Sequence, residues 1–120
     1  MFSRDEFYEL WLEYIKKNRA LQRRTLYAFI RAGDLVLMKK LMSAGMDLNF
    51  NRIRRSPLHF AVYRKNKDAI ALLLKKGASP AFRDRKNRTA PEYAAYLEKR
   101  AKTPADRNAY REIRELLRAN

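Results

Sequence analysis

The chain has 120 residues, 47% of them hydrophobic and 34% charged, with only 3 glycines and 4 prolines; this composition suits one domain or a short repeat array and excludes collagen-like and disordered classes. It contains no cysteine, so disulfide frameworks, thiolate metal sites and thiol nucleophiles are ruled out. A formal charge of +15, from 28 Lys and Arg against 13 Asp and Glu, is large enough to set association with an anionic surface.

That charge is uneven. Residues 1–50 carry 9 basic and 6 acidic side chains, a net of 9 − 6 = +3, and residues 51–120 carry 19 and 7, a net of +12. No uncharged run approaches the ~18 residues needed to cross a bilayer. The opening residues include Asp5 and Glu6 and lack the apolar stretch of a secretory signal, which makes the cytoplasm the expected compartment.

From the N-terminus, Ser3-Arg4-Asp5-Glu6 has the spacing of a capping box, so a helix is expected over Phe2 to Lys17. Phe7, Leu10, Trp11, Tyr14 and Ile15 follow at i, i+3, i+4, i+7 and i+8 and predict one apolar stripe in need of a packing partner. The polar stretch Asn18 to Arg24 is expected to interrupt or bend that helix.

The chain then repeats. Leu26–Asn49 aligns with Leu58–Ala81 at a register of 32 residues, pairing Leu26 with Leu58, Ile30 with Val62, Met38 with Ile70, Leu41 with Leu73 and Gly45 with Gly77. Each unit reads as two helices closed by a glycine. In the middle unit Ser56 is an N-cap candidate, Pro57 sits where its missing N–H costs nothing, and Leu58, Ala61 and Val62 form a buried face. A third unit begins at Thr89, 89 − 56 = 33 residues after Ser56, with Ala94 falling on Ala61. Its second helix is late: Ile113–Leu117 matches Ala69–Leu73 at an offset of 44, so 44 − 33 = 11 residues are inserted near 98–108. A helix extension, a loop and a last helix opened by Thr103-Pro104 are expected there, with Arg111, Arg114 and Arg118 facing out. Helical pairs of this kind cannot cover their own apolar faces and must stack.

Ser56-Pro57-Leu58-His59-Phe60-Ala61, followed by Ala71-Leu72-Leu73-Leu74-Lys75-Lys76-Gly77-Ala78-Ser79, resembles an ankyrin repeat, and Gly45-Met46-Asp47-Leu48-Asn49 is similar to that family's G-A-D-V-N element. The resemblance runs from about Thr25 to the C-terminus. It weakens in the first unit, which lacks the S/T-P-L-H element, and in the third, where Thr89-Ala90-Pro91-Glu92 replaces it, as terminal repeats often depart from the pattern. It implies an all-α, ankyrin-type helical-hairpin solenoid of about three repeats with an added N-terminal helix. The divisions expected are a capping region at 2–24 and repeats at 25–51, 52–84 and 85–120.

Chemistry has little to work with. His59 is the only histidine; it has no second ligand for a metal, and in a unit of this resemblance it belongs to the hydrogen bonds at the helix start, with the Ser56 hydroxyl as partner. There is no nucleophile elbow and no phosphate-cradling glycine loop. Glu92 with Glu98, and Asp106 with Glu112, read as helix-surface partners of nearby cations rather than acid–base pairs. No enzyme, cofactor or metal site is expected.

The basic clusters Asn51-Arg52-Ile53-Arg54-Arg55 and Arg83-Asp84-Arg85-Lys86-Asn87-Arg88 occupy equivalent linkers ahead of a unit's first helix. The resemblance makes these linkers projecting fingers that border a concave binding face. The expected partner-binding set is Arg52, Arg54, Arg55, Arg83, Arg85, Lys86 and Arg88, with Tyr63, Arg64 and Tyr96 at the exposed ends of the first helices, where Tyr and Arg suit binding hot spots. The expected function is a non-catalytic module that binds an acidic patch on another protein, with inhibitor or self-protection factor as one form of it. The alternative is nucleic acid or another polyanion at the same rim, against which stands the lack of a nucleic-acid motif.

Overall fold

A computed structural model describes residues 3–119. Among them the chain forms α1 (Arg4–Lys16), α2 (Arg19–Ala32), α3 (Leu35–Met42), α4 (Pro57–Tyr63), α5 (Lys67–Lys75), α6 (Ala90–Arg100) and α7 (Pro104–Arg118). The described residues contain no strand beyond an isolated antiparallel bridge between Arg52 and Arg55. Phe2, expected to open the first helix, lies outside the described residues.

Local signals explain the helix starts. Ser3, Asn18, Asp34, Ser56, Asn66, Thr89 and Thr103 each stand at an N-cap, and each side-chain oxygen accepts the backbone N–H three residues on. Thr89 and Glu92 complete a reciprocal capping box. At Ser3 only half of that device forms, because the Glu6 carboxylate accepts from the Ser3 hydroxyl at 3.1 Å instead of reaching the backbone. At the far end of α5, Gly77 takes φ = +109°, a conformation in which a side chain would be strained, and its N–H and that of Ala78 close on the last carbonyls of the helix.

The helices pair as hairpins α2–α3, α4–α5 and α6–α7, and the hairpins stack: α2 packs on α4, α4 on α6 and α3 on α5, with α1 against α2. The stack is elongated, with extents of 51 × 26 × 23 Å. Ala61 of α4 and Ala94 of α6 are fully buried. Leu26, Ile30, Leu58, Val62, Ile70, Leu73, Ile113 and Leu117 belong to one buried core that runs through the hairpins. Each such side chain contributes up to about 1.5–3 kcal/mol of burial relative to an extended chain.

Local expectations fare unevenly. Of the two alternatives for the stretch Asn18 to Arg24, the chain is interrupted, at Lys17 and Asn18, but the break is short: Asn18 caps α2, whose first turns run ahead of the Thr25 boundary. The apolar stripe of α1 is rolled, with Leu12 and Ile15 buried and Trp11 half-buried against the Phe29 ring, 5.7 Å between centroids, while Phe7, Leu10 and Tyr14 are exposed. Five stripe positions cover a wider arc than one neighbouring helix can bury, so contact with α2 selects one side. As expected, the added residues of the third hairpin extend a helix ahead of a loop: α6 has 11 residues and α7 has 15, against 7 and 9 for α4 and α5, with a short turn at 101–103. On α7, Arg114 does not face out; its guanidinium pairs with Glu98 of α6 at 3.2 Å, and Arg111 pairs with the same carboxylate at 3.3 Å.

Candidate functional site

The two basic linkers become two fingers, and they touch. In the first, Arg52 and Arg55 exchange backbone hydrogen bonds at 3.0 and 3.5 Å around a turn at Ile53 and Arg54. Ile53 holds φ = +64° with its side chain 68% exposed, a strained backbone for a β-branched residue at the tip. In the second finger the Asp84 N–H bonds to the Arg88 carbonyl at 2.9 Å, and Asn87 supplies the positive φ of the turn. The Arg85 N–H donates to the Arg54 carbonyl at 3.3 Å, and Asn51 Nδ2 donates to the Arg83 carbonyl at 3.1 Å. The tips therefore lie side by side.

Asp84 is the internal strut of the second finger. Its side chain is fully buried, and its carboxylate accepts from the backbone of Lys86 and Arg88 and from the Arg88 guanidinium, at 2.9–3.0 Å. Burial pushes the carboxyl upward, but the hydrogen bonds from Arg88 outweigh it and hold the group below the usual carboxylate range. The finger is fastened to α4 by His59. The ring is fully buried, its Nδ1 lies 2.6 Å from the Ser56 hydroxyl and its Nε2 lies 2.7 Å from the Arg88 carbonyl. A carbonyl only accepts, so Nε2 carries the proton and Nδ1 takes the one from Ser56. Burial lowers the His59 pKa, against the bond to Arg88 that raises it, and the ring is neutral. It is a structural residue.

Where the fingers meet the first helices, arginines and aromatic rings interleave. Arg55 lies 4.2 Å from the Tyr63 ring and donates from Nε to the Tyr93 hydroxyl at 3.0 Å. Arg88 lies 4.4 Å from the Tyr93 ring and 5.0 Å from Tyr96, and Arg100 caps the series 5.3 Å from Tyr96. Nearer the N-terminus, Arg52 stands 5.8 Å from Tyr27, Arg31 stands 5.8 Å from Phe60 and Arg23 stands 4.3 Å from Phe50. The Tyr27 hydroxyl donates to the Arg55 carbonyl, tying α2 to the first finger, and burial raises its pKa. Burial likewise raises that of Tyr93, against the pull of Arg55. Both phenols stay protonated.

The ten expected residues divide accordingly. Arg54, Arg85 and Lys86 are exposed on the paired tips. Arg52, Arg55, Tyr63, Arg88 and Tyr96 join the ring–guanidinium series. Arg83 folds back on the Asn87 carbonyl at 2.9 Å and on Glu92 at 3.3 Å. Arg64, the C-cap of α4, lies apart, in a depression shared with Tyr63, Lys65 and Tyr110. Leu97, beside Tyr96, is packed against the core. The carboxylates suspected of pairing bind cations instead: Glu92 meets Arg83, Glu98 meets Arg111 and Arg114, Asp106 meets Lys65 at 2.8 Å and Glu112 meets Lys67.

Sequence reasoning missed Tyr93, Tyr27, Arg31 and Ile53. Arg31 was within reach, because 63 − 32 = 31 and 63 + 33 = 96 put Arg31, Tyr63 and Tyr96 at one position of three successive units. Among the described residues no helix is long and apolar enough to cross a membrane, and no group of acidic or histidine side chains could hold a metal ion.

Comparison with known proteins adds a profile described as ankyrin repeats (3 copies), which matches residues 6–101, from within α1 to the end of α6. The chain is 36% identical over 64 residues to the ankyrin repeat and KH domain-containing protein mask-1 of Caenorhabditis elegans, and 36% identical over 64 residues to an ankyrin repeat and KH domain-containing protein of Caenorhabditis briggsae. Each match covers 53% of this chain and 2% of the relative, so the chain spans a small fraction of the length of the curated relatives it matches.

Proposed function

From this chain's membership of the ankyrin repeat family, whose repeats indicate a protein–protein interaction module and are generally non-catalytic, we propose that it binds an acidic surface of a partner protein through its fingers and the exposed ends of its first helices. Arg54, Arg85 and Lys86 supply the steering charge at the tips, and Arg52, Arg55, Tyr63, Arg64, Arg88 and Tyr96 supply the contacts behind them. Arg83 contributes mainly by bracing its own finger. The reading takes 2–24 as a cap and 25–51, 52–84 and 85–120 as repeats. It makes the protein cytoplasmic, with blocking of a partner's site as inhibitor or self-protection factor as one form of that binding.

The observation that supports this most is the hydrogen bond from Arg85 N–H to the Arg54 carbonyl, since it sums the two clusters into one positive rim. The test is affinity capture from nuclease-treated lysate with the wild-type chain and with a variant carrying Arg54→Glu, Arg85→Glu and Lys86→Glu. Proteins with acidic surfaces should be held by the wild type and lost by the variant; capture indifferent to reversal refutes the reading. Nucleic acid remains the second reading because of the net charge of +15. A filter-binding titration over salt separates the two, since phosphate contacts give a log–log slope of about −0.7 to −0.9 per neutralised phosphate.

A further inference from the structure

Among the described residues, four arginines without ion pairs converge on one cavity. Between α2, the first finger and α4 lies a cavity of about 300 Å³, walled by Arg31, Arg52, Arg54 and Arg55 and floored by the rings of Tyr27 and Phe60. No acidic residue lines it. The ion pairs of the described residues engage Lys16, Lys40, Lys65, Lys67, Arg83, Arg88, Arg111 and Arg114, and none of the four arginines of this cavity. Three of the four guanidiniums are instead steadied by aromatic neighbours: Arg31 by Phe60, Arg52 by Tyr27, and Arg55 by Tyr63 and Tyr93. A ring takes the face of a guanidinium and leaves N–H groups on its edge for an anion.

We propose that this cavity binds a phosphate monoester dianion on an aromatic side chain of the partner, that is, a phosphotyrosine. The inference rests on the reading of the rim as a protein-binding surface. A single carboxylate cannot answer four guanidiniums, whereas a phosphate brings nearly two charges and three acceptor oxygens. The cavity is also larger than a phosphoryl group needs, and its floor is aromatic, which suits a phenyl ring between the phosphate and the peptide backbone. Ile53, exposed at the lip on a strained backbone, adds an apolar contact for the residue beside the phosphotyrosine.

The experiment uses the whole chain at about 0.15 M salt, where exposed charges beyond roughly 8 Å are screened, and four short peptides differing only at the centre: phosphotyrosine, tyrosine, phosphoserine or glutamate. Calorimetry gives affinity, and amide chemical-shift titration gives location. The phosphotyrosine peptide should bind about tenfold or more tighter than the glutamate and phosphoserine forms, the return from one further charge-assisted hydrogen bond or a seated ring. Shifts should centre on Tyr27, Arg31, Ile53 and Arg54. Arg52→Gln should abolish the preference, as should the exposed Arg54→Gln, which removes no packed side chain. Equal affinity for the phosphotyrosine and glutamate peptides, or shifts centred elsewhere, overturns the proposal. Tighter binding of oligothymidine at the same residues overturns it in favour of nucleic acid. A glutamate-rich decapeptide tests the broader reading separately: if it binds in a manner dependent on Arg85 and Lys86 while phosphotyrosine earns no preference, only the phosphate assignment falls. If neither peptide binds, both readings fall.

Discussion

His59→Leu tests whether one buried ring fastens the second finger to the stack. The substitution keeps side-chain volume nearly constant but removes two hydrogen bonds, Ser56 Oγ–H to Nδ1 at 2.6 Å and Nε2–H to the Arg88 carbonyl at 2.7 Å. The losses are unequal. The Arg88 carbonyl keeps the Asp84 N–H at 2.9 Å, so it forfeits one ordinary hydrogen bond, about 0.5–1.5 kcal/mol. The Ser56 hydroxyl keeps accepting from the backbone N–H of residue 59 but loses the acceptor for its own proton in a buried site, about 1–3 kcal/mol. The sum is about 1.5–4.5 kcal/mol, or roughly 6–18 °C in Tm at about 4 °C per kcal/mol for a chain of this size. A pH series adds an independent sign. His59 has a folded pKa below its ordinary 6.5, so the unfolded chain binds the proton first. Its contribution is full above about pH 6.5 and erodes as pH falls towards the depressed folded value, by up to about 1.4 kcal/mol per pH unit. As it is the only histidine, the loss between pH 7.5 and 5.5 is largely its own. Urea titrations followed by circular dichroism should therefore show the wild type weakening over that range and the variant nearly level, so that their difference shrinks on acidification. A difference that stays constant would mean that the ring titrates in the fold as it does in the unfolded chain, and the assigned network would be wrong.

Asp84→Asn should cost about 1–3 kcal/mol through the weakened bonds to Arg88, and hydrogen exchange should show the Lys86 and Arg88 amides losing protection. Since the folded carboxyl lies below its ordinary 3.8, its contribution is complete above that pH and lost below it, so urea titrations at pH 5 and pH 3 should show the variant surrendering less on acidification. Ala94→Leu, at a fully buried position of α6, should destabilise by about 1–3 kcal/mol through overpacking; a neutral result in thermal melts would mean that α6 is not closely packed there. On α1, Ile15→Ala should cost about 2–4 kcal/mol while Phe7→Ser stays within about 0.5 kcal/mol, and equal losses in denaturant titrations would contradict the orientation of that helix.

How far the sequence can be read depends on whether a signal is local. Ser56-Pro57 and Gly77 name the ends of α4 and α5 because an N-cap and a left-handed C-terminal glycine act within a few residues. The stacking follows from small and apolar residues recurring at the 32-residue register. The facing of α1 does not follow, because five stripe positions leave the choice of side to the helix it meets. Tyr93 escaped notice because its role comes from partners such as Arg55, 38 positions away. Asp84 stands inside a basic run, and its bond to the Lys86 amide two residues on is that of a side chain closing its own turn, a structural role that the surrounding charges mask in the sequence.

The placement of the acids makes the positive rim directional. Like charges on a small surface oppose folding, so a basic protein does best to put its carboxylates where cations crowd. Here Glu98, Asp106 and Glu112 bind cations along the α5 to α7 side, and Asp84 serves the second finger from inside. The exposed pairs of Asp106 with Lys65 and Glu112 with Lys67 contribute about 0–1 kcal/mol each, so their chief effect is to cancel field on that side rather than to hold the hairpins together. Among the described residues the first finger receives no carboxylate, and Arg52 and Arg55 lean on π-faces, which steady their orientation without cancelling their charge. An anion arriving there meets arginines already oriented and without an internal competitor, so less binding energy goes into ordering side chains or breaking existing ion pairs. That asymmetry between two fingers of similar sequence is the physical ground for placing the anion site at the first.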